Sequence, residues 1–118
     1  MEFLGQKGSK VRAIVLTGKG RAFSAGIDIQ AAMKLQEMME AEDPARDALS
    51  FLDLAPPVQT QLKSPEAVRV PVIAAIHGYC LGAAVDVVSA CDIRIATKDT
   101  KFSIKEIDVG FASDIGVI

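Results

Sequence analysis

The chain has 118 residues, of which 13 are Lys or Arg and 15 are Asp or Glu, giving a formal net charge of −2. Half of the residues are hydrophobic, which fits one globular domain and is too apolar for a disordered chain. Because there is no basic excess to neutralise a phosphate backbone, we expect no nucleic-acid partner. The longest apolar run, 70–76, is far shorter than the roughly 20 residues of a membrane-spanning helix, so we expect no membrane span.

The first half of the chain is predicted to form a strand followed by helices. Residues 11–17 are rich in β-branched side chains and are followed by glycines, which predicts a strand and a turn. Residues 27–42 carry apolar side chains near one face and predict a helix that ends at the Asp-Pro pair 43–44. A second helix is predicted after this break, interrupted or ended by the prolines at 56–57, with a further short helix over 59–68.

The second half of the chain alternates between strand and helix patterns. Residues 71–76 are continuously apolar, which is typical of a strand buried on both faces by flanking helices. A glycine-bearing loop at 77–82 and a helix over 83–91 are predicted to follow. Alternation over 93–97 predicts another strand, and residues 102–104 are strand-like after a turn. This order of elements indicates an α/β fold.

Two loops place small residues ahead of predicted helices, at 23–28 and at 77–82. Free backbone N–H groups in such positions favour an anion. Two of them that converge on one carbonyl oxygen would stabilise an enolate or a tetrahedral oxyanion. The alternative is a pair of ordinary turns in which the small residues serve packing.

Three acidic side chains, Asp86, Glu106 and Asp114, lie among apolar residues. Asp86 falls within a predicted buried helix, where an unpaired charge is costly and calls for a reason. Together with the two loops, the acids suggest that one removes a proton next to an activated carbonyl and another returns it elsewhere. Taken singly, each has a simpler explanation: the helix dipole favours Asp86, and solvation or helix capping accounts for Glu106 and Asp114.

Several other polar residues are expected to be structural. The single histidine, His77, has no serine or cysteine placed to act as its nucleophile. Asp92 and Arg94 share one face of a strand and are predicted to form a polar pair. Asp28 is expected to order the loop before its helix. The cysteines at 80 and 91 form neither a metal-type pair nor a disulfide framework, and we expect two small buried thiols.

In their order and spacing these segments resemble the crotonase (enoyl-CoA hydratase/isomerase) superfamily. The stretches that carry the resemblance are 13–18, 23–28, 71–82, 91–96 and 105–116. The resemblance implies a spiral of ββα units, with 1–118 as a partial core domain that lacks N-terminal and C-terminal parts. The chain's end at 114–118, in the first turn of a predicted helix, also suggests a piece of a longer protein. Assembly as a homo-trimer or hexamer is implied as well.

Within the superfamily, the acid pattern resembles that of the dienoyl-CoA isomerases. Hydratases carry glutamates at the positions of Asp86 and Glu106 and usually a glycine at the position of Asp114. The resemblance implies conversion of 3,5-dienoyl-CoA to 2,4-dienoyl-CoA in unsaturated fatty-acid β-oxidation. Asp114 would take a proton from C2, Glu106 would deliver one to C6, and Asp86 would tune Glu106. A mitochondrial or peroxisomal location is implied, although no targeting segment is visible at 1–7.

The resemblance also implies how the substrate is held. The oxyanion amides would be those of Ala25 and Ala83, although the family commonly has glycines at the positions of Ala83 and Ala84. A backbone N–H survives this change, but the added methyl groups narrow the acyl channel. The loop expected to bind the acyl-CoA thioester comprises Phe23, Ser24, Ala25, Gly26 and Ile27.

No metal and no redox cofactor is implied, because coenzyme A is part of the substrate. Two other functions stay open at this point. One is an enoyl-CoA hydratase that uses Glu106 with Asp86 to activate water. The other is a non-catalytic scaffold with the crotonase fold, which the alanines at 83–84 favour and the three acids oppose.

Overall fold

Two parallel β-sheets organise the part of the chain that the computed structural model describes, residues 10–30, 33–34 and 43–109. The larger sheet has three strands in the order β1–β2–β4, and the smaller sheet pairs β3 with β5. The strands are β1 (Ile14–Thr17), β2 (Val72–Ile76), β3 (Tyr79–Leu81), β4 (Ile93–Ala96) and β5 (Lys101–Ser103). The helices are α1 (Pro44–Leu62), α2 (Ala83–Ser89) and a 3₁₀ helix at Glu106–Val109.

The chain passes from the larger sheet to the smaller one three times by the same route. After β1 it reaches the smaller sheet at Ser24, which bridges Cys80 of β3. After β2 it continues into β3, and after β4 it continues into β5. The helix α2 then links the second passage to the third. The predicted α/β class is confirmed, and the repeated strand–turn–strand passage matches the expected ββα units.

The hydrophobic core lies between one face of the larger sheet and α2. Val72, Ala74 and Ile76 of β2 are buried there against Ala84 and Val88 of α2. Full burial of one such aliphatic side chain stabilises the fold by about 1.5–3 kcal/mol. The cysteines at 80 and 91 join the same core, and burial raises the pKa of both thiols. The prediction of two buried thiols is confirmed.

The opposite face of the larger sheet is open in the described part of the chain. Ile73 and Ala75 of β2 are only half-buried, and on the same face Val15 is 62% exposed and Ile95 is 61% exposed. The prediction that β2 is buried on both faces is therefore wrong for the described residues. Successive side chains of a strand point to opposite faces, and α2 covers only one of them.

The helix α1 continues through its two internal prolines. It begins after Asp43, whose Oδ1 accepts a hydrogen bond of 3.0 Å from the Ala45 N–H. The predicted interruption at Pro56 and Pro57 is wrong, and residues 59–62 form the end of this helix rather than the start of another. Proline removes a backbone donor and usually breaks a helix. The carbonyl groups left without a donor are those of Leu52 and Asp53, four residues earlier, and both residues are exposed, so water can hydrate them.

Asp92 and Arg94 do not bond to each other, so the predicted polar pair is wrong. Asp92 Oδ2 instead accepts a hydrogen bond of 2.7 Å from the backbone N–H of Val72. Arg94 Nη1 donates to three backbone carbonyls at the end of α2 and just beyond it, those of Val88 (3.2 Å), Ser89 (3.2 Å) and Cys91 (2.5 Å). The structural role expected of each residue is confirmed. Asp92 connects the residue before β4 to the start of β2, and Arg94 connects β4 to the end of α2.

Two further predictions concern the segments 77–82 and 27–42. The segment 77–82, predicted as a loop, contains the short strand β3. Of the helix predicted over 27–42, residues 29, 30, 33 and 34 are helical and 27–28 are not, whereas 31–32 and 35–42 lie outside the described residues. Asp28 Oδ1 accepts a hydrogen bond of 2.9 Å from the Gln30 N–H, so its ordering role is confirmed. No helix in the described ranges combines the length and the apolarity that crossing a membrane requires.

Candidate active site

Asp86 and Glu106 meet at the start of α2. Asp86 lies in the first turn of α2 and is only 8% exposed, and Glu106 opens the 3₁₀ helix. Burial raises the pKa of Asp86, and the nearby negative charge of Glu106 raises it further. The two acids that the sequence singled out in this region therefore share one site, and burial favours the protonated form of Asp86.

The Glu106 carboxylate fits beside Gly82 because glycine has no side chain. A β-carbon built on Gly82 would lie 2.9 Å from Oε1 of Glu106. The backbone of Gly82 has φ +56° and ψ −134°, a conformation that other residues rarely adopt, and its N–H donates to the carbonyl of Ser103 at 2.8 Å. Oε2 of Glu106 is buried and has no hydrogen-bond partner among the described residues. One oxygen of this acid is thus left available for proton transfer.

The loop after β1 runs alongside β3, so its backbone also lies close to Gly82. The Ser24 N–H donates to the Tyr79 carbonyl at 3.0 Å, and the Leu81 N–H donates to the Ser24 carbonyl at 3.1 Å. A β-carbon on Gly26, whose φ is +92°, would lie 2.8 Å from the Leu81 carbonyl oxygen. Only glycine allows the two segments to approach so closely at this point.

Two backbone N–H groups are available where these segments meet. For Ala25 and Ala83, the predicted oxyanion donors, no hydrogen-bond acceptor is present within the described ranges. Ala25 lies on the loop held against β3, and Ala83 follows Gly82 directly. Gly26, which follows Ala25, packs against Leu81 and Gly82, and Oε1 of Glu106 lies beside Gly82 as well, so the segments that carry both donors and this carboxylate come together at Gly82.

An open groove of about 540 Å³ is lined in part by this loop. Its lining residues are Lys19, Arg21, Ala22, Phe23, Ser24, Ala25 and Tyr79. Lys101 Nζ lies 5.7 Å from the centre of the Tyr79 ring, which adds a third positive charge to the rim. The groove is therefore basic, with one aromatic face.

The groove includes part of the predicted substrate loop and residues that the sequence analysis missed. Phe23, Ser24 and Ala25 line it, whereas Gly26 and Ile27 do not. Lys19, Arg21 and Tyr79 were not predicted. The two basic residues on either side of Gly20, in the turn after β1, are the sequence signal that could have drawn attention to this region.

Asp114, the third predicted acid, lies outside the described residues. Within the described ranges, no three His, Cys, Asp or Glu side chains are grouped closely enough to hold a metal ion.

Known proteins are similar to this chain in both sequence and fold. A family model described as enoyl-CoA hydratase/isomerase matches residues 4–118. The chain belongs to the enoyl-CoA hydratase/isomerase family. The solved structures it resembles include a putative enoyl-CoA hydratase from Streptomyces coelicolor, with a TM-score of 0.76 and 30% identity over 97% of this chain and 38% of that one. The predicted crotonase fold is thereby confirmed.

Curated members of the enoyl-CoA hydratase/isomerase family match most of the chain. A mitochondrial Delta(3,5)-Delta(2,4)-dienoyl-CoA isomerase from Mus musculus is 44% identical over 112 residues, which are 95% of this chain and 34% of the relative. A peroxisomal protein of the same name from Arabidopsis thaliana is 37% identical over 109 residues, 92% of this chain and 39% of the relative. The chain thus spans between 34% and 39% of the length of these two relatives.

Proposed function

We propose that this member of the enoyl-CoA hydratase/isomerase family is an isomerase that converts 3,5-dienoyl-CoA to 2,4-dienoyl-CoA. The observation that supports the proposal is the packing of the Glu106 carboxylate and of the loop that carries Ala25 against Gly82, the residue before Ala83. The names of the relatives from mouse and Arabidopsis support the choice of reaction. Their organelles also support a mitochondrial or peroxisomal location.

The backbone donors act on the thioester oxygen. Hydrogen bonds from Ala25 and Ala83 withdraw electron density from the carbonyl group, so the protons on C2 become more acidic. As C2 loses a proton, negative charge develops on this oxygen and both hydrogen bonds strengthen. One such donor contributes about 2.7–4 kcal/mol to transition-state stabilisation in comparable sites.

The acids remove one proton from the substrate and add another at a distant carbon. Asp114 takes a proton from C2, and the resulting dienolate spreads its charge from the oxygen to C6. Glu106, in its protonated form, then delivers a proton to C6, so that the double bonds lie at C2 and C4. The proton on Asp114 passes to water and Glu106 regains one from water, which restores both acids for the next turnover. Asp86 lies beside Glu106, and its protonated form, which burial favours, adds no second negative charge next to the carboxylate that Glu106 becomes when it gives up its proton. This route needs neither a metal nor a redox cofactor.

The basic groove is suited to the coenzyme A moiety. Lys19 and Arg21 offer positive charge to its phosphates, and the ring of Tyr79 offers an apolar face. The substrate-binding loop, residues 23–27, would then lie between the coenzyme and the reacting thioester. A homo-trimer or hexamer remains part of this proposal.

The test compares two substrates and three single substitutions in the full-length protein. We expect turnover of a 3,5-dienoyl-CoA, measured by the absorbance of the conjugated 2,4-dienoyl thioester, and little hydration of a 2-enoyl-CoA. In deuterated water, the product should carry deuterium at C6. Asp114→Asn and Glu106→Gln should each lower kcat by at least about 100-fold, because each removes one proton-transfer group.

Asp108→Asn is the matched control. Asp108 lies on the same 3₁₀ helix as Glu106, but its carboxylate is exposed and paired with Lys105. This variant should retain the parent kcat. Unchanged isomerisation by Asp114→Asn would refute the assignment of Asp114 as the base.

Hydration of a 2-enoyl-CoA is the second candidate function. It is favoured by the position of Asp86 beside Glu106, because a pair of acids can hold and activate one water molecule. It is also the reaction in the name of the Streptomyces coelicolor protein. A 3-hydroxyacyl product that carries ¹⁸O from labelled water, formed faster than any 2,4-diene, would decide for this alternative.

A further inference from the structure

His77 connects the turn at 18–23 to the end of β2. Its Nε2 lies 3.0 Å from the carbonyl oxygen of Gly20. Because a carbonyl only accepts, this ring nitrogen carries the proton and donates it. The ring is half-buried, and Gly20 has φ +100°, so a glycine conformation directs this carbonyl toward the histidine.

Two backbone features hold the same turn. The Phe23 N–H donates to the carbonyl of His77 at 2.8 Å. A β-carbon on Gly78, whose φ is +63°, would collide with the carbonyl oxygen of Arg21. The side chain of His77, the residue after β2, contacts the Gly20 end of this turn. The Phe23 end is held by the main-chain hydrogen bond to His77.

Lys19 and Arg21 stand on either side of the carbonyl that His77 binds, and both line the groove. We propose that His77 is a positioning residue that holds this turn so that Lys19 and Arg21 face the phosphate groups of a bound acyl-CoA. The inference rests on the proposed use of the groove for coenzyme A. It assigns His77 no part in proton transfer.

The experiment measures binding of two non-reacting probes to the full chain by isothermal titration calorimetry. Hexanoyl-CoA carries the phosphates, and hexanoyl-pantetheine lacks them. His77→Leu fills a similar volume without a donor, and we expect it to weaken hexanoyl-CoA binding about two- to tenfold, the range for loss of one hydrogen bond. The Kd for hexanoyl-pantetheine should not change.

Two further variants separate positioning from a general structural role. In His77→Gln the amide nitrogen lies as many bonds from the backbone as Nε2 does, so this variant should restore hexanoyl-CoA affinity to within about twofold. Gly20→Ala strains the turn although nothing lies within 4 Å of the added carbon, and it should weaken hexanoyl-CoA binding selectively. The double variant of Gly20→Ala with His77→Leu should lose less than the sum of the two single effects.

Parent affinity for hexanoyl-CoA in His77→Leu would overturn the inference, as would equal losses for both probes. If His77→Leu fails to fold, a Gly20→Ala variant with unchanged hexanoyl-CoA affinity overturns it instead. Because neither probe reacts, absence of isomerase activity would reject the proposed function without deciding this inference. Selective loss of hexanoyl-CoA affinity would support it whichever reaction the protein catalyses.

Discussion

Substitution of Gly82 by alanine should affect both the stability of the fold and the position of Glu106, the proposed catalytic acid, and the two effects can be measured separately. The added β-carbon would lie 2.9 Å from Oε1 and 3.4 Å from Cδ of Glu106. The carboxylate would therefore have to move by about 0.5 Å to reach ordinary van der Waals contact. The backbone at φ +56° and ψ −134° would be strained at the same time.

The two effects have different sizes and different readouts. Backbone strain of this kind costs about 1–3 kcal/mol, so the free energy of unfolding in urea should fall by that amount. Displacement of a reacting group by about 1 Å lowers turnover by about 100-fold, so a shift half as large should lower kcat by about tenfold. KM should change little, because neither Gly82 nor Glu106 lines the groove proposed for coenzyme A.

The control is the same substitution in a Glu106→Gln background. There the proton-transfer group is already lost, so Gly82→Ala should cost the same stability but no further kcat. An additional tenfold loss in that background would refute the reasoning, because it would show that Gly82 acts on turnover without Glu106. Parent kcat in the single variant would refute it as well.

Two further predictions concern the residues around α2. Asp86→Asn should be more stable than the parent at about pH 7 and should lose this advantage toward about pH 4. Burial and the charge of Glu106 raise the pKa of Asp86 in the folded protein. The contribution of Asp86 to stability is therefore present below the unfolded pKa of about 3.9 and is lost as the pH rises through the folded pKa. Urea unfolding at several pH values checks this, and a pH-independent difference would contradict it. Arg94→Met should lower the free energy of unfolding by about 1.5–3 kcal/mol, because three carbonyls at the end of α2 and just beyond it lose a charged donor. An unchanged urea midpoint would contradict this second expectation.

Local sequence patterns predicted four of the five described strands, but they missed β3 and did not predict which faces are buried. The apolar run that contains β2 marked a strand correctly, since β-branched residues favour extended backbone. Whether Ile73 and Ala75 are covered depends on elements far away in the sequence, which a local pattern does not contain. The Pro56–Pro57 pair misled for a related reason, because the cost of two lost donors depends on whether the carbonyl groups can reach water.

The sequence singled out those site residues whose charge is unfavourable in their apolar surroundings. Asp86 stood out because an acid among aliphatic residues is costly, and it does lie buried beside Glu106. Lys19 and Arg21 carried no such conflict, since basic residues in a turn are ordinary. Their place in the groove follows from the contact of two loops, 18–23 and 77–79, that are more than fifty residues apart in the sequence.

The wide separation of β1 from β2 along the chain has a consequence for the order in which the molecule folds. Thr17 bonds across this pair to Ala75, 58 residues away, whereas Val72 bonds to Asp92 over 20 residues. Closing the longer loop costs about 0.9 kcal/mol more conformational entropy, so the β2–α2–β4 unit is expected to form first and β1 to dock afterwards. Because β1 brings the loop of Ala25 with it, we expect the proposed thioester site to be completed at a late stage of folding.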